Sequence, residues 1–278
     1  MFRSSLIVLF VLLLSTVSHS KEQSSKELCF QTFNAYGPWY APNLEKRTEY
    51  LKEYLLNNPC DVLLFQEVWL DEHVETLKVF LEKSGYQVFH FDHISLKGKK
   101  YGLLTGVKGQ IEGQGFFEFS HNYEGIMDSI REYVGVGKGA GLLKVKLDNY
   151  KKQLFIVNIH LHHSEKELRL KQAIELVDKV KELNKENLEV VIGGDFNFEP
   201  GSEENQILSS SFVLAEPKNT CTYCKDNDYS WTFSDRQIDK FYLSREMGIK
   251  ISKFTNQPKM WKDQYMSDHS GLRVFLQP

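Results

Sequence analysis

The run Glu189-Val190-Val191-Ile192, followed by Gly193-Gly194 and then by Asp195-Phe196-Asn197, narrows the fold of this chain more than any other stretch. A short, β-branched apolar run reads as a buried strand, and its exit presents an acid and an amide together. In α/β folds chemistry collects at the carboxyl ends of such strands. Four other places where strands are expected to begin or end carry matching chemistry: Phe33-Asn34, Gln66-Glu67, Asn158-Ile159-His160-Leu161 and Ser267-Asp268-His269. Acids, amides and two histidines, with no cysteine or serine placed as a nucleophile, point to hydrolysis assisted by a hard metal ion.

The first twenty residues read as a secretory leader. Arg3 supplies the positive start, Leu6 to Leu14 the apolar run, and Ser18-His19-Ser20 the small residues before a cut near Ser20. That run is well short of the roughly 20 residues that span a bilayer, so a secreted or otherwise extracytoplasmic protein is expected. Residues 21–278 form a single expected catalytic domain, because no repeat, low-complexity segment or linker divides them. The formal net charge of −3 gives no general attraction to polyanions, which weighs against nucleic acid without excluding a local basic patch.

Four cysteines in an exported chain invite disulfides. Cys221-Thr222-Tyr223-Cys224 lies in a polar, turn-rich stretch and reads as a structural clip. A zinc ribbon would need a second pair nearby, and a redox pair would open a helix after a strand. Cys29 and Cys60 stand at the starts of two expected strands and read as ordinary buried residues.

The pattern along the chain predicts a strand over Leu28–Asn34 and a helix capped by Asn43 and running to Asn57. A strand over 61–66 follows, then a helix with Val74, Leu77, Phe80 and Leu81 on one face, stopped by Gly85. Tyr86 to Leu147 is glycine-punctuated and strand-like, and Gln153 to Leu161 reads as a central strand. Ser164 with Glu167 makes a capping box for the longest helix, with Leu168, Ile174, Val177 and Val180 facing inward. Beyond Asp195 come a polar excursion to about Asp228 and three more strands, the last over 272–276.

Within this frame Glu67 is the first metal candidate, with Asn34 adding a neutral oxygen and Asp268 a second carboxylate; magnesium, or manganese or another divalent cation, fits oxygen ligands of this kind. For Glu67 the competing assignment is an ordinary ion pair, and for Asn34 a turn residue before Gly37-Pro38. His269 is the candidate base and Asp239 the carboxylate that orients it; Asp239 has surface pairing with Arg236 or Lys240 as its alternative. Asp195 and Asn197 are placed to orient water and donate to a phosphorane-like transition state, and His160 to donate to a non-bridging oxygen or to the leaving group. His162 and His163 read as structural, although alternation puts His162 on the His160 face.

These segments, in this order, resemble the endonuclease/exonuclease/phosphatase superfamily, of which deoxyribonuclease I has the best-known fold. The matching stretches are Thr32-Phe33-Asn34, Leu64-Phe65-Gln66-Glu67, Asn158 to Leu161, Gly194-Asp195-Phe196-Asn197, Ile238-Asp239 and Ser267-Asp268-His269. The resemblance implies a four-layered α/β sandwich, two packed mixed β-sheets flanked by helices, and magnesium-dependent cleavage of phosphoester bonds. It also implies Glu67 and Asn34 at the metal, His269 as base, Asp239 as its partner, and Asp195 and Asn197 acting on water and phosphate.

Within that superfamily the chain is most similar to the neutral sphingomyelinases. The likeness rests on Asn34-Ala35-Tyr36-Gly37-Pro38 with Arg47, on Glu67-Val68-Trp69, on Gly137-Lys138-Gly139-Ala140-Gly141-Leu142-Leu143 and on His160-Leu161-His162. It implies hydrolysis of sphingomyelin to ceramide and phosphocholine; a monomer in peripheral contact with a membrane surface is expected. Gly115-Phe116-Phe117-Glu118-Phe119 is the segment expected to offer aromatics to the lipid, with a core strand as its alternative. Lys240 stands where that family more often has an aromatic residue. The competing functions are a secreted nuclease with the same machinery, another phosphoesterase of the same superfamily, and a binding protein that has kept the fold without catalysis.

Overall fold

The computed structural model describes residues 27–277 apart from 95–99, 123–136, 216, 218–219, 246, 248–249 and 257–259. The leader expected over residues 1–20 lies outside the described residues. In chain order the elements are β1 (Leu28–Asn34), α1 (Leu44–Asn57), β2 (Val62–Gln66), α2 (Asp71–Lys83), β3 (Gln87–His90), β4 (Leu104–Val107), β5 (Gly109–Glu118), β6 (Gly139–Leu147) and β7 (Gln153–His160). There follow α3 (Lys166–Leu183), β8 (Glu189–Asp195), α4 (Glu203–Ser211), β9 (Phe212–Ala215), β10 (Asp239–Ser244), β11 (Lys250–Asn256), β12 (Met260–Trp261), β13 (Gln264–Tyr265) and β14 (Leu272–Gln277).

The strands build two six-stranded mixed sheets, ordered β11-β14-β1-β2-β4-β3 and β5-β6-β7-β8-β10-β9, with β12 and β13 as a separate hairpin. Each large sheet contains one parallel pair, β1 with β2 and β7 with β8. Parallel neighbours need a crossover long enough to return the chain to the same end, and α1 and α3 supply it.

Period-two alternation explains why these strands are apolar throughout. Phe30, Val62 and Leu64 of the first sheet meet Leu143, Val191 and Phe241 of the second between the sheets. The alternate residues Phe33, Leu63 and Phe65 face outward under Leu51, Tyr54, Val74, Leu77 and Leu81 of α1 and α2. On the other side Val190 and Ile192 lie under Leu176, Val177 and Val180 of α3 and Leu208 of α4. The layers are therefore helix, sheet, sheet, helix, and four helices flank the two sheets among the described residues. Among those residues no helix is long and apolar enough to cross a membrane.

The glycine pair before Asp195 has a steric cause. A Cβ on Gly193 would stand 2.4 Å from the Phe241 ring and 2.6 Å from Leu64 across the sheet interface. One on Gly194 would stand 2.0 Å from the carbonyl oxygen of Ile159 on the neighbouring strand. The pair thus lets β8 lie close to both neighbours just before it delivers Asp195.

Gly85 ends α2 as expected: at φ 85° it donates its N–H to Glu82 while Tyr86 donates to Leu81, closing a Schellman turn. Other local expectations are corrected. Asn43 precedes α1 in a left-handed conformation and makes no side-chain cap; its amide donates to the Tyr229 hydroxyl instead. Ser164 and Glu167 form no capping box. The helix begins at Lys166, and the N–H groups of Ser164 and Glu165 donate to Nδ1 of the buried His162. Ile174 is 51% exposed, and Ala173 and Leu176 take the inward face beside Leu168, Val177 and Val180.

The excursion after Asp195 contains α4 and β9, whose sequences are too polar or too short to announce themselves. Cys29 and Cys60 are bonded to each other. The parallel register that sets Phe30 opposite Val62 brings their Cα atoms to 4.7 Å, and that pairing is not visible in either strand alone. The Cys221–Cys224 clip is present. The aromatics of 115–119 are not a free surface: Phe116 packs on Tyr101 and the inter-sheet core, Phe117 against the second-sheet cluster, and Phe119 is buried.

Candidate active site

Register fixes the site. In the parallel pairs Asn34 lies opposite Gln66 and His160 opposite Asp195, so four carboxyl ends reach the same rim. Antiparallel β10 starts where β8 ends and sets Asp239 opposite Asp195. The turn before β14 adds Ser267, Asp268 and His269, with the Ser267 hydroxyl donating to the Asn34 carbonyl at 2.6 Å.

Asp195 is the hub. Its Oδ2 accepts from the Asn34 amide at 3.1 Å and lies 3.6 Å from His160 Nε2 and 3.7 Å from His269 Nε2. Its Oδ1 accepts from the Asn197 backbone N–H at 3.0 Å, while the Asn197 amide donates to the Leu161 carbonyl. His269 Nδ1 is 2.8 Å from Asp239 Oδ2, and His160 Nε2 is 3.8 Å from Glu67 Oε1. Thus all eight residues singled out at the rim come together. Six of them, Glu67, His160, Asp195, Asn197, Asp268 and His269, line one cleft of about 820 Å³, with Asn34 and Asp239 buried directly behind its wall.

Three rim residues, Tyr36, Glu67 and Asn197, have φ of 46°, 59° and 56°. Left-handed backbone costs a residue with a Cβ roughly 1 kcal/mol or more, and least for Asn. Such strain gathers at functional sites, where the surrounding structure enforces it. At Glu67 it breaks the strand path at the point where the carboxylate faces the cleft.

The electrostatics follow from crowding charge in a buried space. Burial raises the Asp195 carboxyl, with His269 pulling it back and Asp239 pushing it further up. Burial also raises Asp268, opposed by His269 and reinforced by Glu67. For His269 burial opposes the charged ring, but Asp239, Asp268 and Asp195 together outweigh it and push its pKa up to about 10. His160 is held neutral, first by burial and then by the Lys138 ammonium.

Lys138 is a cleft residue that spacing did not single out beyond its glycine-rich neighbourhood. Its Nζ lies 2.7 Å from His160 Nε2. The ammonium donates and the imidazole accepts there, so the cationic donor beside the cleft is Lys138, backed by His160. Arg47 acts from outside the cleft lining. Buried under the rim, its guanidinium donates to the carbonyls of Ala35, Tyr36, Pro42 and Met266 and so ties the β1 exit loop to the approach to Asp268. Lys138 meets His160 because Gly139 lies opposite His160 in the β6–β7 pairing, and the Arg47 bond to Met266 depends on a distant chain crossing.

Among the described residues no three His, Cys, Asp or Glu side chains cluster tightly enough to chelate a metal by themselves. Magnesium asks for less, usually one or two carboxylates with waters completing the shell. Glu67 and Asp268 supply that number in one cleft, and Asp268, raised first by burial, is pushed further up by the Glu67 charge, which a bound cation would offset. The donor set fits a hard divalent ion.

The chain matches the Endonuclease/Exonuclease/phosphatase family over residues 32–269 and belongs to it. Members of this family are hydrolases of phosphoester bonds and are typically dependent on a divalent metal. Similar solved structures include the mannosyl-6-phosphatase Bt3783 of Bacteroides thetaiotaomicron, at 17% identity and TM-score 0.71, covering 90% of this chain and 99% of that one. An endonuclease/exonuclease/phosphatase from Bacteroides vulgatus aligns at 19% identity and TM-score 0.72, covering 90% and 98%. Truncated Caenorhabditis elegans TDP2 aligns at 20% identity and TM-score 0.69, covering 91% and 98%. At such identities the likeness establishes the fold. No curated protein sequence matches the chain.

Proposed function

We propose that this chain is an exported, divalent-metal-dependent phosphodiesterase that hydrolyses sphingomyelin to ceramide and phosphocholine. The observation that carries the chemistry is the His269–Asp239 pair, with Nδ1 engaged at 2.8 Å and Nε2 turned toward Asp195 at the cleft. Glu67 and Asp268 would hold magnesium, or manganese or another divalent cation in its place, backed by Asn34, whose amide oxygen accepts the Tyr36 N–H at 2.9 Å behind the cleft wall. When bound, the cation polarises a phosphoryl oxygen and offsets the charge that develops on it.

His269 Nε2 takes a proton from the water that attacks phosphorus, and Asp239 fixes the tautomer and favours the imidazolium that results. A cation held by Glu67 and Asp268 would oppose the carboxylates that keep the His269 ring protonated and so favour a free Nε2. Asp195 and Asn197 orient the water and the phosphoryl group. As the new phosphorus–oxygen bond forms, the bond to the ceramide oxygen breaks, and that oxygen takes a proton from the Lys138–His160 side of the cleft.

The lipid substrate is supported by the rim. Trp39, Tyr40 and Trp231 line the cleft at 83%, 64% and 89% exposure, and Phe233, two residues along, is fully exposed at 104%. Large aromatics held out in water at the mouth of a site suit the interfacial zone of a bilayer. They take the place in this reading that the 115–119 segment cannot fill. In this reading the protein is a monomer in peripheral contact with a membrane surface. The nuclease alternative draws on Lys100, Lys138 and Arg236 along the cleft. It stays second because Lys100 pairs with Asp71 and Arg236 with Glu199.

The test is phosphocholine release from sphingomyelin vesicles by the mature protein, with magnesium and with chelator, beside plasmid cleavage. Metal-dependent release with intact plasmid supports the reading. Plasmid nicking without lipid turnover replaces the substrate, and His269→Ala with normal turnover removes the proposed base.

A further inference from the structure

His269 and Asp239 belong to different sheets. Asp239 opens β10 of the second sheet, whereas His269 leads into β14 of the first, so their 2.8 Å contact is set across the sandwich. A small shift between the sheets would open it, and some element must hold the two approaches in register.

Thr222 bonds to both. Its hydroxyl oxygen accepts the backbone N–H groups of Ile238 and Asp239, each at 3.0 Å, and its carbonyl accepts the N–H of Ser270, the residue after His269, at 2.7 Å. The side chain is buried. Its neighbour Tyr223 places its ring 4.9 Å from the His269 ring and pairs in a short antiparallel bridge with Arg236. Both residues sit inside the four-residue loop closed by Cys221–Cys224. Beyond it, the buried Asn227 amide donates to the Ser267 carbonyl at 2.9 Å. This excursion is thus fastened on the Asp239 side and on the His269 side.

We propose that Thr222 is a positioning residue for the His269–Asp239 pair, and that the Cys221–Cys224 disulfide holds Thr222 in place to do so. The inference rests on the proposed role of that pair in hydrolysis. A threonine fits where valine does not, because valine has the same shape and no acceptor for two buried amide hydrogens. A closed loop of this size leaves Thr222 few alternative conformations, and misplacement of a reacting group by about 1 Å suffices to slow a reaction roughly 100-fold.

The experiment compares Thr222→Val, Thr222→Ser and the double variant Cys221→Ala/Cys224→Ala with the wild-type mature protein. The probe is bis(4-nitrophenyl) phosphate with magnesium, and kcat and KM are measured separately. Nitrogen NMR of histidine-labelled protein follows the His269 Nδ1–H bonded to Asp239. We expect Thr222→Val to lower kcat by roughly 10- to 100-fold with KM within about twofold, and to weaken or shift the Nδ1–H signal. Thr222→Ser should return kcat to within about threefold, and the cysteine variant should lie between.

A folded Thr222→Val protein with wild-type kcat overturns the proposal, as does Thr222→Ser as slow as Thr222→Val. Should Thr222→Val not fold, the cysteine variant decides: an unmoved kcat and imidazole signal overturn the inference. A wild-type protein inert toward the diester and toward sphingomyelin vesicles alike refutes the functional reading alone. The imidazole signal then decides the positioning, and its persistence unchanged in Thr222→Val rejects it.

Discussion

Asn158 is the residue whose replacement should most sharply separate the inter-sheet polar bridge from the apolar packing around it. It lies in β7, buried, and reaches across the sandwich into the first sheet. Its amide nitrogen donates to the Phe65 and Leu104 carbonyls at 3.0 and 3.2 Å and to the Thr105 hydroxyl at 3.1 Å. Its oxygen accepts from the Gln66 amide at 2.7 Å. Two hydrogens serve three acceptors, so the set amounts to about three net hydrogen bonds. Asn158→Leu keeps the branched shape, with bulkier methyl groups, and removes all of them.

At roughly 1 kcal/mol net per bond, with about 1 kcal/mol more for the weakened satisfaction of Gln66, the loss is about 4 kcal/mol. For a domain of this length that lowers Tm by roughly 8–16 °C. The assay is equilibrium urea unfolding followed by tryptophan fluorescence with disulfides intact, checked by calorimetry. Asn158→Asp should cost more, because its carboxylate would face two carbonyl oxygens. A loss below about 1.5 kcal/mol for Asn158→Leu would refute the reasoning, since it would mean that apolar burial alone repays the bonds. Gln66 immediately precedes Glu67, so turnover should fall together with stability.

Glu67→Gln should raise the magnesium concentration for half-maximal activity by roughly tenfold, equivalent to about 1.4 kcal/mol of lost ligand charge; an unchanged metal titration removes Glu67 from the metal. His73, buried beneath the rim, is lowered to about 4, chiefly by burial and then by Arg47. The unfolded chain therefore binds the extra proton between the two pKa values, and stability is full above about pH 6.5 and falls by about 3 kcal/mol on acidification to pH 4. His73→Phe should flatten that limb in urea titrations at pH 7.5 and 4.5, and an equally steep limb would assign it elsewhere. Trp231→Ala and Phe233→Ala should each weaken sedimentation with phosphatidylcholine–sphingomyelin vesicles by roughly tenfold, from the apolar area they would insert. Binding unaffected by both changes would remove that face from the membrane.

Where neighbouring residues suffice, the sequence is readable. The apolar run into Gly193-Gly194-Asp195 announces β8 because both its faces are buried, and Gly85 ends α2 through its own backbone. The convergence of Asn34, Glu67, His160 and Asp195 follows from parallel pairing with crossovers, which places successive strand ends on one side. Contacts that depend on register or on distant crossings are not readable in this way. The Cys29–Cys60 bond, the Arg47 strap and the Lys138–His160 contact each join segments whose adjacency exists only after the sheets have formed. α4 leaves little apolar periodicity because only Glu204 and Leu208 of its nine residues are buried. Trp39, Tyr40, Trp231 and Phe233 are the opposite case: aromatic residues in a sequence read as core, and these stand in water.

The place of β14 has a consequence in time. It follows every other strand in chain order, yet it inserts between β11 and β1, beside the first strand of the fold. A chain emerging residue by residue therefore carries Asn34, Glu67, His160, Asp195 and Asp239 long before the segment that bears Asp268 and His269 can dock. Pairing over so large a separation is slow, because the loop must close before its contacts reward it. Until β14 docks, β1 presents an unpaired edge and the cleft lacks a wall. Assembly of this sandwich thus has its own safety catch: every earlier intermediate is incomplete at the site, and competence arrives with the final strand.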